Sequence, residues 1–144
     1  MARTALALLV LATPVATWWL VGDLDEELVD PDYLFRPLAL SETTEVFIGV
    51  TATALVAVSA LALLREHLRR PFTRRRCGAL ACLLLAGLVV GGSCRVLTAG
   101  VGGANIGGGM VMMFGPFIVG GLVVWAIRLA RPPRHPLLWT PPDR

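Results

Sequence analysis

Four long apolar stretches alternate with short polar segments along this chain, and the polar segments hold most of its charge. The apolar stretches cover approximately residues 4–21, 46–64, 77–97 and 110–129. Each approaches the roughly 20 residues that a helix needs to cross the hydrocarbon core of a bilayer. The pattern predicts an all-α fold, an integral membrane four-helix bundle within residues 1–131, followed by a Pro-rich tail at 132–144.

The composition supports a membrane protein over a soluble one. Hydrophobic residues make up 56% of the 144-residue chain and charged residues only 16%. Soluble domains are about 45–50% apolar and about 25% charged. We therefore expect the lipid bilayer to be the main environment of the helices.

The first apolar stretch has two interpretations. Its positive start at Arg3 and the short run after it also occur in cleaved signal peptides. The apolar run continues through Trp18 to Val21, however, without a small-x-small cleavage site. We interpret it as an uncleaved helix with a bend at Pro14, since proline removes one helical hydrogen bond.

The distribution of charge predicts how the helices cross the membrane. Eight of the ten acidic residues lie between Asp23 and Glu45, and six of the 13 basic residues lie between Arg65 and Arg76. Short arginine-rich loops face the cytoplasm. Both termini are therefore expected inside, with an acidic outer loop between helices 1 and 2 and a Gly-rich outer turn between helices 3 and 4.

The arginine-rich loop allows a second interpretation, since such clusters also attract anionic lipid headgroups or nucleic acid. We interpret it as a topology determinant and expect no nucleic-acid partner. The chain contains arginine but no lysine, which is typical of GC-rich bacterial genomes. We therefore predict a multi-pass protein of the bacterial plasma membrane.

Small residues mark the helix faces that pack together in lipid. On the third helix, Gly87, Gly91 and Arg95 recur every four residues and share one face. On the second helix, the stripe Gly49, Thr53 and Ala57 continues one turn below Glu45. Both stripes are expected to face the interior of the bundle.

An ion pair between Glu45 and Arg95 follows from these positions. Glu45 lies 20 residues before Arg65, and Arg95 lies 19 residues after Arg76. At 1.5 Å per residue, both are about 30 Å from the inner boundary, near the outer edge of the hydrocarbon. We expect them to pair across adjacent antiparallel helices, with Glu42 and Asp23 as alternative partners for the arginine.

All but three of the 15 glycines lie between Gly87 and Gly121. The run from Thr98 to Gly109 is expected to form a turn or a short re-entrant segment, since each glycine costs a helix about 1 kcal/mol relative to alanine. Successive backbone N–H groups can bind an anion. The residues of such a site, together with Arg95, would be Asn105, Gly102, Gly103, Gly107 and Gly108.

We expect no enzyme activity, no cofactor and no metal site. No histidine lies in an apolar stretch, and no pairing of a nucleophile with a base is visible. The three cysteines, Cys77, Cys82 and Cys94, lack the C-x-x-C spacing of redox enzymes and the spacing of zinc sites.

Two function classes remain. The first is a non-catalytic accessory or assembly subunit that packs against another membrane protein, or against copies of itself, through its glycine-lined helix faces. The second is an oligomeric channel or carrier for a small anion that uses Arg95, Asn105 and the Gly-rich loop. A continuous polar lining would favour the channel, and the apolar stretches offer few polar residues.

Overall fold

The computed structural model describes residues 2–24, 32–103 and 105–131. Within them the fold is all-helical apart from one short two-stranded ladder. The elements are helices α1 (Ala2–Val21), α2 (Glu42–Arg69), α3 (Arg74–Thr98) and α4 (Ile106–Ala130), with strands β1 (Asp32–Tyr33) and β2 (Gly100–Val101). All four helices are long and apolar enough to cross a membrane. The Pro-rich tail predicted at 132–144 lies outside the described residues.

Helices α2 and α3 extend into polar sequence beyond the apolar stretches that predicted them, α2 by about one turn at each end and α3 by three residues at its start. Ser41 caps α2, and its hydroxyl oxygen accepts a hydrogen bond from the Thr44 N–H at 3.3 Å. Thr73 caps α3 in the same way for the Arg76 N–H at 3.4 Å. Because arginine, glutamate and leucine are good helix formers, most of the arginine-rich segment is helical, and only residues 70–73 separate the two helices.

Helix α4 begins at Ile106, four residues before the predicted span, so the expectation of a turn through Gly109 is wrong. Asn105 is the N-cap, and its Oδ1 accepts a hydrogen bond from the Gly108 N–H at 2.6 Å. A favourable cap contributes about 1 kcal/mol, comparable to the cost of one glycine in a helix. The turn itself is confined to the short connection between α3 and α4.

The four helices pack as an open series in the order α2, α1, α3 and α4. Helix α1 packs against both α2 and α3, and α4 packs against α3. Helices α2 and α4 form no comparable contact with each other in the described residues. One surface of α4 is therefore left without a neighbouring helix.

The inward face of α3 is confirmed, whereas that of α2 differs from the prediction. Gly87, Gly91 and Arg95 are all buried. On α2 the buried positions are Gly49, Ala52, Ser59 and Leu63, and Ala57 is exposed. The difference arises because the predicted stripe assumed a spacing of four throughout, while a helix of 3.6 residues per turn alternates spacings of three and four.

Helices α1 and α3 approach each other closely at two glycines. A Cβ atom on Gly87 would lie 3.1 Å from Thr13 Cγ2, and one on Gly91 would lie 2.7 Å from Thr17 Cβ. Small residues permit this kind of backbone approach between helices in lipid. The contact fixes the height of α1 relative to Arg95, which is one turn beyond Gly91.

The two connections at one end of the molecule are joined to each other. Strand β1 pairs antiparallel with β2, with Asp32 opposite Val101 and Tyr33 opposite Gly100. The Phe35 N–H also donates a hydrogen bond to the carbonyl of Leu97 at 3.3 Å. The segment after the acidic run thus folds back onto the turn between α3 and α4. We call this the acidic end, and the opposite end, which contains Arg65 to Arg76, the basic end.

Candidate functional site

The structure brings Arg95 and Glu45 together as an ion pair. The Arg95 Nη2 group donates a hydrogen bond to Glu45 Oε1. The side chain of Arg95 is 10% exposed and that of Glu45 is 33% exposed. The charge of the arginine is thus largely removed from solvent, while the carboxylate lies at the edge of the protein.

The two residues do not belong to neighbouring helices, contrary to the prediction. Helix α1 makes the main contacts with both α2 and α3, and its last turn also binds Arg95. The Nε–H group of Arg95 donates to the main-chain carbonyl of Trp18 at 2.9 Å. The guanidinium carbon also lies 4.2 Å from the centre of the Trp18 ring, within the range of a cation–π interaction.

The end of α1 explains why this carbonyl is available. The last four carbonyl groups of a helix lack intrahelical partners. The N–H of Gly22, which has a φ of 74°, donates to the carbonyl of Trp19 at 3.1 Å, so the carbonyl of Trp18 accepts from Arg95 instead. A cation is also favoured at a helix C-terminus by the helix dipole.

Glu45 stands in the first turn of α2, where the same dipole favours a negative charge. Arg95 therefore joins the C-terminus of α1, the N-terminal turn of α2 and its own helix α3. Of the two alternative partners, Glu42 is exposed one turn earlier on α2, and Asp23 lines the same groove as the pair, described next.

A half-open groove of about 570 Å³ surrounds the ion pair at the acidic end. Its walls come from α1, α2, α3 and the segment before α2, and most of them are apolar. Its lining residues include Pro14, Trp18, Leu38, Ile48, Val90 and Cys94. The volume lies within the roughly 300–1,000 Å³ of small-molecule sites. The pair is thus accessible from one side, through an apolar opening.

Asn105 and the glycines of the predicted anion site are not assembled around Arg95. The Nδ2 group of Asn105 donates to the carbonyls of Val96 and Ala99, at 3.0 and 3.4 Å, and its Oδ1 caps α4. The asparagine closes the turn between α3 and α4, and Asn105 does not line the groove that contains Arg95.

The glycine N–H groups of that prediction divide into two groups. Gly107 and Gly108 belong to the first turn of α4, and the Gly108 N–H donates to Asn105. Gly102 and Gly103 form the bend before the cap, and Gly103 has a φ of 104°, which glycine adopts readily. No single run of backbone N–H groups therefore includes all four glycines.

No arrangement of His, Cys, Asp and Glu in the described part of the chain could hold a metal ion. Cys77 and Cys94 are exposed and Cys82 is half-buried, and all three are free thiols. Within the described residues, every buried side-chain nitrogen and oxygen atom has a hydrogen-bond partner.

Sequence reasoning missed Trp18 as a member of the site. Its contribution is a main-chain carbonyl and the face of a ring, and neither gives a charge signal in the sequence. The tryptophans at 18 and 19 did indicate a membrane interface. The predicted topology places these tryptophans at the same end of the helices as Arg95, and this was the available clue.

Comparison with protein-family models, with curated proteins and with solved structures found no match to this chain.

Proposed function

We propose that this protein is a small, non-catalytic accessory or assembly subunit of the bacterial plasma membrane. In this proposal both termini face the cytoplasm, and the open face of α4 binds a helix of another membrane protein or of a second copy. The observation that supports it most directly is the isolation of α4. Only 6% of its apolar span is buried, against 22% for each of the other three helices.

The exposed face of α4 combines small and large residues in the manner of a helix-packing surface. Gly109, Pro116, Gly120 and Ile127 lie at spacings of seven, four and seven, and all are exposed. A Cβ atom on Gly109 or Gly120 would meet nothing within 4 Å. Small residues at such spacing allow a second helix to approach closely, and in lipid this close packing is a main source of association.

The buried glycines of α3 support the interpretation of the exposed glycines of α4 as a helix-packing surface. Gly87 and Gly91 stand where α1 contacts α3, and there is little room for a side chain at either position. In the described part of the chain, no neighbour requires a glycine at position 120, and this residue costs the helix about 1 kcal/mol relative to alanine. A partner helix that needs the space would account for that cost.

The anion channel or carrier receives no comparable support. Arg95 already binds Glu45 and the carbonyl of Trp18, and Asn105 is used to close a turn. An anion would have to displace one of these contacts. We therefore favour the subunit.

Site-specific photocrosslinking in native membranes tests the proposal. A photoreactive phenylalanine analogue replaces Phe117, which is 79% exposed on α4, or Val58, which is 65% exposed on α2. We expect a discrete crosslinked product from position 117 and none from position 58. The mass of the product distinguishes a second copy from a different membrane protein.

A packing variant provides a second test of the same interface. Gly120→Leu should abolish the product from position 117, since the larger side chain blocks close approach of another helix. Gly92→Leu is the matched control, because Gly92 also has open space around its Cβ position but lies on α3. Equal crosslinking at positions 117 and 58, or no effect of Gly120→Leu, would contradict the proposal.

A further inference from the structure

A second half-open groove, of about 510 Å³, lies at the basic end of the molecule. All four helices contribute to it: Arg3 and Leu6 from α1, Leu63 from α2, Arg76 and Leu83 from α3, and Ala130 from α4. Phe72, from the short connection between α2 and α3, completes the wall. We call it the basic groove. Its volume is again that of a small-molecule site.

The basic groove has a charged mouth and an apolar interior. Arg3 and Arg76 are its only charged lining residues, and neither forms an ion pair within the described part of the chain. Leu83 lies seven residues after Arg76, so the groove extends about 10 Å along α3 from the guanidinium level towards the middle of the helix.

The surrounding charge reinforces this polarity. At this end of the described part of the chain, a single acid, Glu66, is present among nine arginines: Arg3, Arg65, Arg69, Arg70, Arg74, Arg75, Arg76, Arg128 and Arg131. The potential around the mouth of the groove is therefore positive, and an occupant with a negative head is favoured.

We propose that the basic groove binds an anionic phospholipid. The phosphate lies between Arg3 and Arg76, and one acyl chain occupies the apolar part of the groove along Leu6, Leu63 and Leu83. A free anion would make no favourable contact with the apolar walls, and a lipid without net charge would leave the positive charge of the two arginines without a counter-charge. Basic grooves between membrane helices are known sites for acidic headgroups. The inference depends on membrane insertion but not on a partner for α4.

Lipid binding to the purified full-length chain tests the proposal. Native mass spectrometry and thermal stability in mild detergent are compared for added phosphatidylglycerol, phosphatidylcholine and inorganic phosphate. Two arginines at about 1 kcal/mol each predict that phosphatidylglycerol binds about 30-fold more tightly than phosphatidylcholine. Inorganic phosphate is expected to stabilise the protein much less.

Charge-matched variants separate the groove from the general positive charge of this end. Arg3→Gln with Arg76→Gln should remove most of the preference for phosphatidylglycerol. Arg74→Gln with Arg75→Gln changes the net charge equally outside the groove lining and should retain it. Ala130→Phe fills the groove without changing charge, so it should weaken lipid binding even if the first double variant fails to fold.

Three results would overturn the proposal. Equal losses in the two double variants would indicate diffuse attraction to the whole basic end. Equal stabilisation by inorganic phosphate would indicate a small-anion site. Equal affinity for the two lipids would indicate that the arginines do not contact the headgroup.

Discussion

At the scale of single residues, Arg95 provides hydrogen-bond and charge partners for several groups that are partly removed from solvent. It supplies a donor to a carbonyl at the end of α1 and a counter-charge to Glu45, and its own guanidinium packs over the Trp18 ring. Unpaired polar groups removed from water typically cost 1–3 kcal/mol each. The residue is therefore expected to stabilise the fold through three helices at once.

Replacement of this arginine should have a larger effect than replacement of an exposed one. We expect Arg95→Leu to lower the stability of the protein by about 2 kcal/mol, because Glu45 and the Trp18 carbonyl both lose their donor. Thermal unfolding in detergent measures the effect. Arg74→Leu, at an exposed position in the first turn of α3, is the control and should change stability little. Equal melting temperatures for the two variants would contradict the role of the pair.

The pairing of Glu45 with Arg95 could be predicted from residue counts, because helix rise converts position in the chain into depth. Helix order could not be predicted in this way, since depth does not reveal which helices are neighbours. For that reason the intervening α1 and the contribution of Trp18 were missed. The role of Asn105 was missed for a related reason, because its capping of α4 depends on where the helix begins.

At the scale of elements, α1 and α3 can approach each other closely because glycines, which lack a side chain, stand at their contact. Gly91 packs against Pro14 and Thr17, whereas the adjacent Gly92 has nothing within 4 Å of its Cβ position. The face was predictable from the spacing of Gly87, Gly91 and Arg95. The partner helix was not, because a stripe of small residues is compatible with any neighbour.

This adjacent pair of glycines provides a matched test of helix packing. Gly91→Ala should destabilise the protein by about 1–3 kcal/mol, the usual cost of overpacking a well-filled contact. Gly92→Ala should be neutral or stabilising by up to about 1 kcal/mol, since alanine is the better helix former. Chemical or thermal unfolding of the two variants compares them directly. A milder effect at Gly91 than at Gly92 would show that α1 and α3 do not meet at this point.

The ends of elements were harder to predict than their centres. Hydropathy marks the part of a helix that lies in hydrocarbon, but α2 and α3 continue into polar sequence, where local caps decide the boundaries. Ser41, Thr73 and Asn105 are such caps, and each stands beside a segment whose composition is typical of a loop, so the exact ends of the helices were not predicted.

At the scale of the whole molecule, charge is separated between the two ends. The C-terminus of α1, the start of α2 and the end of α3 meet around the groove that contains Asp23, Glu45 and Arg95. The start of α1, the start of α3 and the end of α4 meet around the basic groove. The separation was predictable from the sequence because each polar segment carries mainly one sign of charge.

This polarity predicts the orientation in the membrane through the positive-inside rule. In a chain with its three native cysteines replaced by alanine, Thr43→Cys near the acidic end should react with an impermeant maleimide in intact cells. Leu68→Cys, near the basic end, should react only after permeabilisation. Both positions are exposed in the structure. The reverse pattern of labelling would show that the protein has the opposite orientation in the membrane.

The position of α1 between α2 and α3 has a consequence for biosynthesis. Among the four described helices, α1 is synthesised before its neighbours α2 and α3, which dock against it in turn, and α4 follows and docks onto α3. Each new segment can therefore find its neighbour among those already made. A peptidase that removed the first 21 residues would separate α2 from the α3–α4 hairpin and leave Arg95 without its carbonyl acceptor.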